Sequence, residues 1–143
     1  MYEDYTRQSL PTKKYRELLG SALCVFSSNN SFIIENIIRT NNSNDWYKLI
    51  DQESGKLRGY IASTITQKAG NTVIEDLFLK IVSMRNRIIH SFRITSSNGE
   101  QTLATKTLCK EGNMQFEITE EYLMDFIALN DQLSGLLHQY RGY

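Results

Sequence analysis

The sequence predicts an all-α domain: a bundle of four or five helices with a small β-hairpin or meander inserted before the last helix. Apolar residues recur at three- and four-residue steps along most of the chain, which is the spacing of one helix face. Only between residues 92 and 118 does the pattern change to alternation with β-branched side chains. The chain has 143 residues, 41% of them hydrophobic, which suffices for one domain with a buried core.

The first half of the domain is predicted to be helical with one interruption. Apolar spacing predicts a helix from Thr12 to about Phe26. We expect the polar cluster at 27–31 to break or kink this helix, and its last serine to cap a second helix that runs through Arg39. An asparagine-rich stretch at 41–44 then predicts a loop.

Three further helices are predicted between residues 45 and 90. A short helix is expected over 45–52 and a longer one over 54–69, with Gly70 suited to its C-terminal cap. The best-defined helix is predicted from Val73 to about His90, because Thr72 and Glu75 have the spacing of a capping box.

The β segment and the last helix follow from a change of period. Turn residues separate three short alternating segments, so strands are predicted at 92–95, 102–109 and 114–118. Thr119, followed by two glutamates, predicts the N-terminus of the final helix, since a threonine caps the first N–H groups and acidic residues favour the first turn.

The domain boundaries and the compartment are also predicted. Residues 1–11 are polar and end at the only proline, so we expect a flexible N-terminal arm followed by a single helical domain over 12–143. The apolar runs are too short to span a membrane. The first residues lack the features of a signal peptide, so the expected location is the cytoplasm.

Charge and cysteine content exclude some classes of function. Sixteen Lys and Arg balance sixteen Asp and Glu, which argues against a protein that coats nucleic acid or anionic membranes through bulk charge. Cys24 and Cys109 have no second Cys or His at ligand spacing, so neither a metal site nor a cofactor is expected. Cys24, between Leu23 and Val25, is predicted to be a small core residue.

The predicted helix over 73–90 departs from its own pattern. On a helical wheel Arg85 falls within the apolar arc, where a core helix normally carries leucine or isoleucine. Burying a guanidinium without partners carries a desolvation penalty on the order of several kcal/mol, so this arginine requires an explanation. Asn86 and His90 lie about one turn apart on the shoulder of the same arc.

The charges around this helix end are uneven. No Asp or Glu occurs from Leu77 to Gly99, although four basic residues do: Lys80, Arg85, Arg87 and Arg93. Together with His90 they predict a phosphate-binding surface.

Structural explanations exist for the same residues. Arg85 could extend its charge to solvent or pair with Glu35 or Asp76. His90 could follow from the helix dipole alone, and Lys80 and Arg87 suit a solvated face.

The segment Met84-Arg85-Asn86-Arg87-Ile88-Ile89-His90-Ser91 resembles the signature of HEPN domains. That signature is an arginine, a polar residue directly after it, and a histidine a few positions beyond. Here the match is Arg85, Asn86 and His90, with four residues between the arginine and the histidine. The resemblance covers most of the chain as an architecture but only 85–90 as a motif.

The resemblance implies two classes of function. Many HEPN proteins are metal-independent endoribonucleases of toxin–antitoxin, phage-defence and RNA-processing systems, and others are inactive binding or dimerisation modules. In the first class the ribose 2′-OH attacks the adjacent phosphate, so the substrate is RNA and the products carry a 2′,3′-cyclic phosphate and a 5′-OH.

If the chain is an enzyme, each motif residue has an expected role. His90 transfers protons, Arg85 neutralises the phosphorane and Asn86 orients His90 or the phosphate. Further substrate contacts are expected from three basic residues: Lys80, Arg87 and Arg93.

The resemblance also implies a homodimer through the helix over 73–92, because a two-fold axis would supply a second histidine, and it allows an antitoxin or another partner protein. In some HEPN toxins a tyrosine two positions after the histidine is adenylylated. Here Phe92 stands there, so that regulation is not expected. An inactive HEPN-like module and an unrelated helical adaptor are the alternatives.

Overall fold

The structure is a computed structural model that describes residues 1–142. Three long helices dominate it: α1 (Lys13–Thr40), α5 (Val73–Ile89) and α6 (Glu120–Arg141). Between α1 and α5 lie the short helices α2 (Trp46–Ile50), α3 (Arg58–Ile61) and α4 (Gln67–Ala69), with a π-helical turn over Ala62–Thr66 joining the last two. Short 3₁₀ turns occur at Tyr2–Tyr5, Ser54–Leu57 and Cys109–Glu111.

Between α5 and α6, the chain forms a small antiparallel sheet. It consists of β1 (Phe92–Thr95), β2 (Gln101–Lys106) and β3 (Gln115–Ile118), with β2 in the centre. Phe92 pairs with Ala104, and Leu103 pairs with Ile118. The prediction of a mainly helical chain with a β segment before the last helix is therefore confirmed.

The predicted break in the first helix is wrong, because α1 continues through residues 27–31. The side chain of Asn29 is buried and donates to the backbone oxygen of Asn130 on α6 at 2.8 Å and to its side-chain oxygen at 3.0 Å. Ser31, predicted to cap a second helix, donates instead to the carbonyl of Ser28 within the same helix. Tertiary contacts thus satisfy the polar groups that otherwise compete with helix formation.

The predicted capping box before α5 is also wrong, although the helix begins at Val73 as expected. Thr72 donates to the carboxylate of Asp76. Glu75 turns inward, where it is buried, accepts a hydrogen bond from Thr66 at 3.0 Å and lies 3.6 Å from Arg58. The carboxylate that would reach back to the helix start is therefore used to join α5 to the preceding segment.

The prediction for Cys24 is wrong as well, because this thiol is exposed. Ala22 and Phe26 lie on the buried face of α1. Cys24 is two residues from each of them, which rotates it about 200° around the helix axis, away from the core.

The core lies where α1, α5 and α6 pack together, and aromatic rings occupy its centre. Phe78 of α5 is fully buried, and its ring stacks on Phe26 of α1 with centroids 6.5 Å apart. The Phe26 ring also contacts Phe126 of α6 at 6.3 Å. These ring contacts join α1 to α5 across the core, while α6 packs against both helices.

Outside this core, residues 1–10 are exposed. Arg16 of α1 contacts the turn over Tyr2–Tyr5 through the Tyr2 hydroxyl and the Glu3 carboxylate. No helix of the described chain is long and apolar enough to cross a membrane.

Tyr15 connects the sheet to the helices. Its hydroxyl donates to the carbonyl of Ile118 in β3 and accepts the N–H of Leu103 in β2. We expect Tyr15→Phe to lower the free energy of unfolding by about 1–3 kcal/mol, because two backbone groups lose their partner. Urea unfolding measures this loss. Tyr47→Phe is the control, and it should leave the free energy of unfolding unchanged because Tyr47 is exposed.

The same hydroxyl predicts a loss of stability in alkali. Burial raises the pKa of Tyr15 above its usual value of 10.0. The unfolded chain therefore loses this proton first as the pH rises. The stability that the protonated Tyr15 hydroxyl gives the fold is complete below pH 10, the pKa of the unfolded chain, and is lost as the pH rises through the pKa of the folded state. We expect the free energy of unfolding to fall less steeply above pH 10 in Tyr15→Phe than in the wild type. Equal slopes of this free energy against pH would contradict the role of the hydroxyl.

Candidate functional site

The end of α5 is fixed from two sides. The N–H of His90 donates to the carbonyl of Asn86 at 2.9 Å and closes the helix. The carbonyl of His90 accepts the hydroxyl of Thr105 on β2 at 3.1 Å. On the α6 side, the hydroxyl of Tyr122 donates to the carbonyl of Met84 at 3.3 Å. The backbone that carries the motif is therefore held by both the sheet and α6, while the His90 side chain is exposed.

Arg85 is half-buried and has an unusual set of contacts. Its Nη1 donates to Oδ1 of Asn86 at 2.7 Å, and its Cζ lies 5.2 Å from the centroid of the Phe26 ring. Among the ion pairs of residues 1–142, none includes Arg85. The carboxylates considered as partners are engaged elsewhere: Glu35 pairs with Arg141, and Asp76 accepts from Thr72.

The guanidinium of Arg85 faces a groove of about 380 Å³ between α1, the end of α5 and the chain that follows α2. We call this the Arg85 groove. Its polar lining comes from Ser27 and Asn30 of α1 and from the segment 52–54, which includes the carboxylate of Glu53. Ser54 donates to the side-chain oxygen of Asn30 at 2.9 Å. The complete lining is Leu23, Phe26, Ser27, Asn30, Ile50, Gln52, Glu53, Ser54, Arg85 and Ile89.

His90 does not line the Arg85 groove. Five residues separate it from Arg85, which places the two side chains about 140° apart around the helix. The structure therefore presents the guanidinium and the imidazole at the same end of α5 but in different directions. Asn86, which contacts Arg85, lies between them on the helix surface at about 100° from Arg85.

The other predicted basic residues lie outside the Arg85 groove. Arg87 donates to the carbonyl of Lys106 at 2.9 Å and so ties α5 to β2. Arg93 on β1 hydrogen-bonds the side chain of Gln101 on β2. Lys80 is exposed and lies on the α6 side of the helix. The acid-free segment thus distributes its charges over several faces.

Sequence reasoning did not identify the polar residues that line the groove together with Arg85. Asn30 and the segment 52–54 are remote from Arg85 along the chain, and no local pattern marks them. The apolar arc predicted for this helix is wider than one core requires, and two of its members, Ile89 and Phe92, have exposed fractions of 51% and 47%. These apolar side chains flank His90 at the end of α5.

The contacts of Arg85 predict that its charge contributes little to folding. We expect Arg85→Met, which keeps most of the side-chain length, to change the free energy of unfolding by less than about 1 kcal/mol, the size of one cation–π contact. Thermal or urea unfolding measures the change. A loss several times larger would show that Arg85 is needed for the fold.

Searches of family models, curated proteins and solved structures find no match for this chain. In the described part of the chain, no group of three or more His, Cys, Asp or Glu side chains is arranged to hold a metal ion.

Proposed function

We propose that this protein is a metal-independent endoribonuclease of HEPN type. One observation carries the proposal. Arg85 is half-buried, lines a groove, forms no ion pair among the described residues, and stands five residues before an exposed histidine. An arginine in this state is available to an anion from solution, and phosphate suits its planar donor group.

The reaction requires two proton transfers and one charge stabilisation. A general base removes the proton of the ribose 2′-OH, whose oxygen attacks the adjacent phosphorus. The bond to the 5′-oxygen then breaks, and a general acid protonates that leaving oxygen. Imidazole suits both roles near neutral pH, so His90 is assigned to proton transfer. Arg85 stabilises the negative phosphorane, and Asn86 holds the guanidinium in position.

A homodimer completes this site in the proposal. One chain presents a single exposed imidazole at the end of α5 and directs Arg85 elsewhere. A two-fold axis near this end would bring a second His90 and a second Arg85 to the same cleft. The exposed side chains of Ile89 and Phe92 supply apolar area for such a contact. The interface assigned to the dimer is thus the helix over 73–92, at its C-terminal end.

A non-catalytic HEPN-like module is the second candidate. It is favoured by the direction of His90, which does not share the Arg85 groove. In this form the end of α5 serves dimerisation or the binding of a partner, without RNA cleavage.

The biological setting is proposed from the resemblance alone. A toxin or phage-defence effector that acts on cytoplasmic RNA, held in check by an antitoxin, fits a HEPN nuclease. Growth inhibition on expression, relieved by His90→Ala, supports this setting, whereas equal growth of both strains opposes it.

The test of the proposed activity uses purified protein and a labelled RNA in buffer that contains EDTA. We expect cleavage with a 2′,3′-cyclic phosphate at one new end and a 5′-OH at the other. A matched RNA with 2′-deoxyribose at the cleaved position should resist cleavage there, because it lacks the nucleophile. Cleavage that needs a divalent metal, or that persists at the deoxy position, would exclude the mechanism. No cleavage of any RNA would favour the binding module.

A further inference from the structure

A second surface of α5 is open along its length on the side that faces α6. Two adjoining depressions of about 640 and 600 Å³ share Lys80 and Gln132 and form one channel, which we call the α5–α6 groove. It extends from Val73 to Met84 on α5, about 17 Å, and over residues 125–139 of α6, about 21 Å, at 1.5 Å per residue. This length matches a helix of about four turns.

The floor of the groove is apolar. Leu77 and Met84 of α5 and Leu129 and Leu136 of α6 are half-buried at the edge of the core, with their outer surfaces in the groove. Such an apolar channel between two helices suits the hydrophobic face of a third helix.

Gly135 leaves part of the α6 wall of the groove without a side chain. It lies within α6, and a Cβ added to it would meet nothing within 4 Å. Glycine inside a helix costs about 0.5–1 kcal/mol relative to alanine, and the packing of this chain does not require it. A glycine in the wall of a groove allows the backbone of another helix to approach closely.

The rim of the groove is acidic. Asp76, Asp125 and Asp131 are exposed, and none belongs to an ion pair among residues 1–142. Lys80 is the one cationic side chain of the lining. A second copy of this chain would bring an equally acidic rim to the groove, so the charge favours a basic occupant.

We propose that the α5–α6 groove binds an amphipathic helix of a partner protein, with an apolar stripe at three- and four-residue spacing and lysine or arginine on both flanks. The apolar stripe fills the channel over Leu77 and Leu136, and the flanking cations pair with Asp76 and Asp131. Leu77 lies about 140° from His90 around α5, and the groove ends at Met84, about 9 Å before His90 along the helix. The partner therefore leaves the His90 end of the helix free.

The test uses a fluorescein-labelled helical peptide of about 14 residues, the length of the groove, made of leucine in an amphipathic pattern and lysine elsewhere. A matched peptide carries glutamate at every lysine position. Fluorescence anisotropy at physiological salt should show saturable 1:1 binding of the lysine peptide, at least tenfold tighter than that of the glutamate peptide. Equal affinity for the two peptides would overturn the proposal.

Variants of the full chain locate the binding. Gly135→Leu fills the channel and should weaken binding at least tenfold. Gly20→Leu, the matched change on α1 with equally open surroundings, should leave it unchanged. Asp76 and Asp131 are exposed, and the double variant Asp76→Lys/Asp131→Lys should bind the glutamate peptide more tightly than the lysine peptide. Circular dichroism checks that each variant is folded.

Two results of these variants would overturn the assignment. Undiminished binding by folded Gly135→Leu would place the peptide elsewhere. Conversion of a wild-type dimer to a monomer by Gly135→Leu, measured by light scattering, would identify the groove as a contact between copies of this chain.

Discussion

His90→Ala is expected to lower the rate of RNA cleavage by about 100- to 10,000-fold, the usual contribution of general acid–base catalysis. Arg85→Ala should lower it by about 100- to 1,000-fold, as expected for the loss of one group that stabilises transition-state charge. Single-turnover cleavage of a labelled RNA in EDTA measures both effects. Because Arg85 forms no ion pair among the described residues, both proteins should remain folded.

Matched substitutions show whether these losses are specific. His138→Ala removes the other histidine of the chain, which lies on α6, and Lys80→Ala removes a cation of α5 that lies outside the Arg85 groove. Neither should change the rate more than about twofold. Cleavage that survives in both His90→Ala and Arg85→Ala would show that the motif is not the site, and the binding module would then be the better explanation.

The largest expected effect on stability comes from Phe78. Its side chain is fully buried between α1 and α6, and its ring stacks on Phe26. Phe78→Ala should lower the free energy of unfolding by about 3–5 kcal/mol, through lost burial and the cavity that remains. Urea unfolding followed by circular dichroism measures this loss.

Phe92→Ala is the matched control for Phe78→Ala. Its side chain is 47% exposed at the start of β1, so the same truncation should cost less than about 1 kcal/mol. In the proposed dimer Phe92 contributes to the interface, so this variant should also weaken self-association. Equal destabilisation by the two substitutions would contradict the assignment of the core.

Features that depend on a few neighbouring residues could be predicted from the sequence. Gly70 ends α4 with a left-handed backbone (φ 76°), as its position after the helical pattern suggested. Thr119 caps α6 by accepting the N–H of Tyr122. The first strand has the bounds predicted from its alternation. In each case the determining interactions lie within one turn or one strand.

Features that depend on distant partners could not be predicted. The continuity of α1 depends on the hydrogen bonds between Asn29 and Asn130, which are 101 residues apart. The inward turn of Glu75 depends on Thr66 and Arg58. Locally, each of these residues favours a different structure, and the tertiary contacts are stronger than that preference.

The candidate site shows the same division. The sequence by itself placed Arg85 within an apolar helix face, because the period of the helix sets the angle of every side chain whatever surrounds it. It also set the angle between Arg85 and His90. Only the tertiary structure decided that the Phe26 ring lies against the guanidinium, that Asn30 and Glu53 line the same groove, and that Arg85 forms no ion pair among the described residues. Those contacts join segments that are remote in the chain, and their distances arise from the packing of α1 against α5.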